Sequence, residues 1–177
     1  MTRKLSRTFP KGHIREGQPT HFVEKFLNTQ NGGSMQKMHY YLYIDKLVQL
    51  NPDKPWNLIR EFAESLDWTV DMDKKHTIRL GNSIKDGQML QLAVWSGKPY
   101  ASPEIKIWEP VKIGVQPIEI DGSVVWRPRN EKEGEGVWFL NIQHLAENDG
   151  LSLEDFQSWF RKASGPAQII HWTSHRY

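Results

Sequence analysis

The apolar residues change period near residue 76, and that change constrains the fold more than any other feature. Before it, helical spacing holds. Met38, Tyr41, Leu42, Ile44, Leu47 and Val48 recur at helical steps across 36–50. Ile59, Phe62, Ala63 and Leu66 repeat the pattern after the breaker Asn51-Pro52-Asp53-Lys54-Pro55. After it come short runs. Leu90, Leu92 and Val94 alternate with Gln91, Ala93 and Trp95; Ile105-Lys106-Ile107, Lys112-Ile113-Gly114-Val115 and Ile118-Glu119-Ile120 follow. Asp121-Gly122 separates the last of these from Val124-Val125-Trp126, a two-residue hairpin signal. Many short strands with few helices predict an α+β domain around a small β-barrel with peripheral helices. The breaker Asn31-Gly32-Gly33-Ser34 opens an inserted helical hairpin at about 30–70. Its role is plain packing or, alternatively, a lid or protein-partner surface.

The remaining elements follow the same logic. Residues 1–20 are basic and turn-rich. A short helix over 20–28, capped by Thr20, buries Phe22, Val23, Phe26 and Leu27. Residues 127–136 are charged and Gly-rich, which predicts an exposed loop, and Gly136–Leu140 is a candidate strand. A helix over 141–149 stops at Asn148-Asp149-Gly150. Ser152, with Asp155 three residues on, starts another helix, with Phe156, Trp159 and Phe160 on its buried face. Ala167–Trp172 closes the chain as a strand.

At 177 residues the chain is one domain with an insertion, long enough to bury roughly 70% of its unfolded surface. A net charge of +2 does not by itself mark a nucleic-acid binder. The basic residues are uneven, however: Arg3, Lys4, Arg7, Lys11, His13 and Arg15 precede the first acid, Glu16. The lack of cysteine excludes disulfides, thiolate catalysis and Cys-based zinc sites. The seven His show no metal-ligand spacing, so no metal is expected, and no motif calls for a cofactor. No apolar run approaches ~18 residues, so no membrane association is expected and the cytoplasm is the default.

Six runs in order carry a resemblance. They are Leu5-Ser6-Arg7-Thr8-Phe9-Pro10-Lys11-Gly12-His13, Thr20-His21-Phe22-Val23-Glu24-Lys25 and Lys75-His76-Thr77-Ile78-Arg79, followed by Trp95-Ser96-Gly97-Lys98-Pro99-Tyr100, Asn148-Asp149-Gly150-Leu151-Ser152-Leu153-Glu154-Asp155-Phe156 and Ile170-His171-Trp172-Thr173. Together they resemble ASCH-domain proteins of the PUA-like superfamily, in the version found in gut Bacteroidetes and their phages. The resemblance covers 1–28 and 72–177 and leaves out the helical segment. It implies a PUA-like β-barrel with a cleft that binds RNA or a nucleoside or nucleotide. It also implies a second possibility. One bacterial branch is an acylcytidine amidohydrolase that uses a Lys-x-x-Thr-x-Arg strand and a Glu before the late helix. Carried over, those positions are Lys74, Thr77 and Arg79, with Asp149 where the branch has Glu.

The chemistry of these residues leaves alternatives open. A Thr hydroxyl such as Thr77 is a weak nucleophile until a base takes its proton. Lys74 can be that base only when neutral, which needs burial or a cationic neighbour. Arg79, two residues past Thr77, shares its strand face and supplies such a field. Lys74, three before, needs a turn or bulge at Lys75-His76 to join them. The bland alternative is a solvated Lys, a β-favouring Thr and a surface Arg. Asp149 either orients the Lys74 ammonium or simply turns the chain. Trp95, Ser96, Lys98 and Tyr100 suit a base and its phosphate, or form a strand-end turn. Arg7, Lys11 and His13 reach phosphates, or form a solvated arm. His171 is a further ligand candidate, or a hydrogen-bonded core residue.

Overall fold

The computed structural model describes residues 1–33, 40–127 and 137–177. Most of the loop expected over 127–136 lies outside the described residues, as do residues 36–39 of the helix expected over 36–50. The described elements run β1 (Thr2–Lys4), α1 (Phe22–Gln30), α2 (Tyr40–Leu50), α3 (Trp56–Glu64), β2 (His76–Leu80), β3 (Met89–Trp95), β4 (Glu104–Lys106), β5 (Val111–Lys112), β6 (Gly114–Asp121), β7 (Val124–Arg127), β8 (Trp138–Phe139), α4 (Ile142–Asn148), α5 (Leu153–Phe160) and β9 (Ser164–His171). The class is α+β. The described strands form two sheets, neither closed into the single barrel expected from their number. No described helix is long and apolar enough to cross a membrane.

The chain divides into two compact units. The first comprises Met1–Phe9, Gln18–Met72 and Met89–Val111. The helical segment belongs to it, together with β1, β3 and β4. β1, absent from the sequence expectation, pairs parallel with β3, and β4 pairs with β3 antiparallel. Leu90, Leu92 and Val94 are buried as their alternation requires. In α1, Phe22, Val23, Phe26 and Leu27 are buried. Its N-cap is His21 at φ 55 rather than Thr20. The Thr20 hydroxyl accepts from Phe22 N (3.3 Å) and donates to Ser6 O (2.6 Å), so it closes the turn ahead of the helix.

The α2–α3 pair buries Tyr43, Ile44 and Leu47 from one helix and Ile59, Phe62 and Ala63 from the other. Asn51 fastens its turn to β4. The Asn51 amide donates to Leu47 O (2.8 Å) and Lys106 O (2.9 Å) and accepts from Lys106 N (2.9 Å), which reproduces a strand's hydrogen-bond pair with one side chain. Tyr43 adds a buried hydroxyl bond to Ile107 O at 3.1 Å.

The second unit comprises Pro10–Gly17, Asp73–Gln88 and Lys112–Tyr177. Its sheet has the order β2-β9-β6-β7-β8. β6 is one eight-residue strand that joins two runs the sequence shows separately. It pairs along its whole length with β9, from Gly114↔His171 to Asp121↔Ser164. The β6–β7 hairpin turns on Gly122 and Ser123, one position beyond the expected Asp121-Gly122, because Asp121 pairs with Val124 and Gly122 takes φ 56. Ser152 caps α5 as expected, accepting from Asp155 N at 3.0 Å.

Candidate functional site: a buried lysine–aspartate pair and a histidine cluster

β2 starts at His76, so Lys74 lies in the approach to the strand and escapes strand alternation. That approach is strapped on three sides. Lys75 N donates to Asn148 O (2.7 Å), Trp172 Nε1 donates to Lys74 O (2.6 Å), and Lys74 Nζ reaches back to the turn after α4. There it donates to Asp149 Oδ1 (2.5 Å) and Asp149 O (2.6 Å). Both residues are buried. Burial pushes the Lys74 ammonium's pKa down, the Asp149 carboxylate pushes it up, and Arg79 lowers it further. Thr77 is buried two residues after Lys75, opposite Ile170 of β9, while Arg79 is exposed.

The β2–β9 register sets His76 against His171, with ring centroids 5.5 Å apart. Both rings are fully buried. The bland expectation for His171 was a hydrogen-bonded core residue; it is core, but neither ring nitrogen has a hydrogen-bond partner. Burial, with Arg176 and His175 nearby, lowers its pKa to about 4. Burial first, then Lys74, His171 and His175, hold His76 well below the ordinary histidine range. Tyr177 closes the cluster. Its hydroxyl accepts from Asn148 Nδ2 (2.9 Å) and lies 3.4 Å from His76 Nδ1. Its backbone is clamped by both ends of the Gln116 amide. Burial raises the Tyr177 phenol above its ordinary value. Asn148 Nδ2 also lies 3.4 Å from His175 Nε2, and His175 packs edge-on against Tyr177 at 4.8 Å. The second unit therefore gathers a Lys–Asp pair, three His and a Tyr, and Thr77 is buried next to His76 on the same strand. His76, His175 and Tyr177 escaped the sequence as site residues, because no spacing links positions that only the sheet register brings together. Among the described residues, no group of His, Asp and Glu could hold a metal ion.

The basic N-terminal residues divide. Lys11 is exposed on its turn. His13 is not a solvated phosphate contact: it is buried, its Nε2 lies 2.9 Å from Asp155 O, and its Nδ1 accepts from Arg15 N at 3.0 Å. Nε2 holds residues 10–17 on α5, helped by Arg15 on Asp155 Oδ2 at 3.0 Å, while Nδ1 closes the turn within that segment. Arg7, in the first unit, donates to Ser65 Oγ at 2.8 Å and lies 5.5 Å from the Phe62 ring.

The aromatic group also belongs to the first unit. Tyr100 is 91% exposed and holds a left-handed backbone, φ 63, which is rare for a bulky residue. Its ring tilts against Trp95 at 5.4 Å. Lys4 Nζ sits 4.7 Å over the Trp95 ring and pairs with Glu104 at 2.7 Å. Ser96 N bonds Pro103 O, and Lys98 O accepts from Ala101 N and Ser102 Oγ, which ties the turn together. The Lys98 side chain is exposed.

Comparison of the chain with protein-family models, with curated proteins and with solved structures finds no match.

Proposed function

We propose that the chain is an ASCH-type, PUA-like protein that binds RNA or a nucleotide through the Trp95–Tyr100 platform. Tyr100 carries the proposal. A sparsely populated backbone conformation costs of order 1–3 kcal/mol, and such residues gather at ligand-binding sites. Here that conformation holds an aromatic face out to solvent, braced by Trp95 and flanked by the Lys98 turn. Every base has a π-face, and stacking contributes about 1–3 kcal/mol per base. Lys4 and Lys98 add positive charge for the phosphates. Fluorescence titration with a short single-stranded RNA tests this. Affinity falls as salt rises, and Tyr100→Ala weakens binding about 10-fold or more. Equal binding by the parent and by Tyr100→Ala and Lys98→Ala would sink it.

A second function is supported by the Lys74–Asp149 contact, which joins two positions that the resemblance pairs. It is amide hydrolysis of an acyl group on the exocyclic nitrogen of a cytidine-like nucleoside. Thr77 Oγ attacks the acyl carbonyl and passes its proton through Lys74 to the leaving nitrogen. Water then hydrolyses the acyl-Thr ester. Burial and Arg79 favour the neutral Lys74 this step needs; Asp149 opposes it. Release of carboxylic acid from an N4-acylcytidine is the assay. Activity lost in both Thr77→Ala and Lys74→Ala supports hydrolysis, and activity kept in both removes it.

A further inference from the structure

The second unit carries a cleft that neither function uses. It has a volume of about 330 Å³. The Asp86–Gly87 turn, the Lys112–Gly114 stretch and the segment Trp172–Arg176 line it. We propose that this cleft binds a phosphate group, with Arg176 as its principal ligand.

Gly114 makes the Arg176 position possible. The guanidinium lies directly over the Gly114 Cα, and a Cβ built there would overlap Arg176 Nη2. Any other residue would push the guanidinium away. Arg176 Nη1 fixes the group by donating to Thr173 O (2.9 Å) and His175 O (2.6 Å). The donors on Nη2 and Nε are then the ones available to a ligand. A held guanidinium presents paired N–H groups that match phosphate oxygens, and less freedom is lost on binding than with a loose side chain.

The rest of the lining agrees in sign. Lys112 is a second, exposed cation, its stem packed over Gly87. Asp86 is the one acid in the lining, and its Oδ1 already accepts from Val115 N at 2.7 Å. Ser174 adds an exposed hydroxyl, and Trp172 forms an apolar wall. Two cations against one engaged carboxylate favour an anion, and a cleft of this size suits a small ligand. A phosphate monoester fits better than a carboxylate, because it carries about −1.5 to −2 charge and three strong acceptors; a backbone diester, with one charge and two free oxygens, binds the same guanidinium more weakly. The group can come from a free nucleotide or from an RNA backbone. The proposal does not depend on the Trp95–Tyr100 platform, which belongs to the other unit.

Isothermal titration of the full chain with inorganic phosphate, cytidine 5′-monophosphate and a short single-stranded RNA tests it. The parent protein binds at least one of the three probes, and Arg176→Ala weakens that binding about 10-fold or more. Gly114→Ala gives the same loss, because the new methyl takes the place of Arg176 Nη2 and drives the guanidinium from its seat. The double variant loses no more than either single one, since both act on one guanidinium. Arg176→Ala loses inorganic phosphate binding although Trp95 and Tyr100 are intact, which separates this cleft from the aromatic platform. Nucleotide affinity that depends on Arg176 assigns the phosphate to a free nucleotide, and RNA affinity that depends on it assigns the phosphate to a backbone. Binding that is the same in the parent, Arg176→Ala and Lys112→Ala overturns the proposal. So does a parent protein that binds none of the probes. A circular-dichroism melt checks folding; if Gly114→Ala unfolds, the two surface variants decide alone.

Discussion

Lys74 and Asp149, 75 positions apart in the chain, meet as a buried ion pair with Nζ 2.5 Å from Oδ1. Taking two charges out of water is expensive, and the pair is stable only because each satisfies the other and the Asp149 carbonyl takes a second Lys74 proton. Asp149→Ala leaves the ammonium buried without its counter-charge. Urea denaturation will show a loss of about 3–5 kcal/mol. Replacing both residues by apolar ones, Lys74→Met with Asp149→Leu, restores most of it. A double variant as unstable as Asp149→Ala would mean that the pair does more than balance charge.

His76 and His171 make stability depend on pH. Both are buried neutral, and their folded pKa values lie below the unfolded value of about 6.5. In the window between, the unfolded chain binds more protons than the folded one. Stability is therefore complete above about pH 6.5 and falls as pH drops toward about 4, where His171 titrates in the fold. The field of Arg176 and His175 acts on His171, and those of Lys74, His171 and His175 on His76. Urea midpoints at pH 7 and pH 5 measure this. The drop is smaller in His171→Gln than in the parent protein. Equal drops would show that His171 is not neutral in the fold, or that it is not buried.

Asn51 joins the helical pair to β4 with two hydrogen bonds of 2.9 Å to Lys106, and a third, 2.8 Å to Leu47 O, closes the end of α2. Asn51→Leu removes them and leaves the Lys106 amide and carbonyl without that partner. The expected cost is about 1–3 kcal/mol. Tyr43→Phe removes one buried hydroxyl bond at the same junction, to Ile107 O, at a cost of about 0.5–1.5 kcal/mol. Thermal melts rank the two. Asn51→Leu as stable as the parent would mean that water replaces the side chain there.

Tyr100 separates stability from binding. Its left-handed backbone costs about 1–2 kcal/mol, and Gly removes that cost while adding about 0.5–1 kcal/mol of chain entropy. Tyr100→Gly is therefore as stable as the parent or slightly more so, and it binds single-stranded RNA more weakly. A variant that is less stable and binds equally well would show that the ring serves packing against Trp95 rather than a ligand.

Helix α5 was the most legible element. Its cap Ser152 and its buried Phe156 and Phe160 obey local rules that depend on neighbours three or four residues away. The helices around 22–30 and 40–64 and the strand around 90–95 were legible for the same reason. Strand β1 was not. Thr2-Arg3-Lys4 shows no apolar alternation, and it is a strand only because β3 offers it a partner 89 positions on, at Arg3↔Leu92. The barrel failed similarly, since strand number says nothing about which edges pair. His13 was misplaced because a basic neighbourhood looks solvated until Asp155 of α5 arrives to bury it.

For the candidate site the division is similar. The sequence by itself determined that Lys74, Thr77 and Arg79 sit at the mouth of one strand, and that Asp149 ends one helix ahead of another. Period and capping are local physics, and they survive without the rest of the chain. Only the tertiary structure decided that Lys74 is buried on Asp149, that His76 faces His171, and that Arg176 rests on Gly114. Those relations join residues dozens of positions apart. They are set by sheet register and by which groups lose water together, and neither leaves a spacing to read.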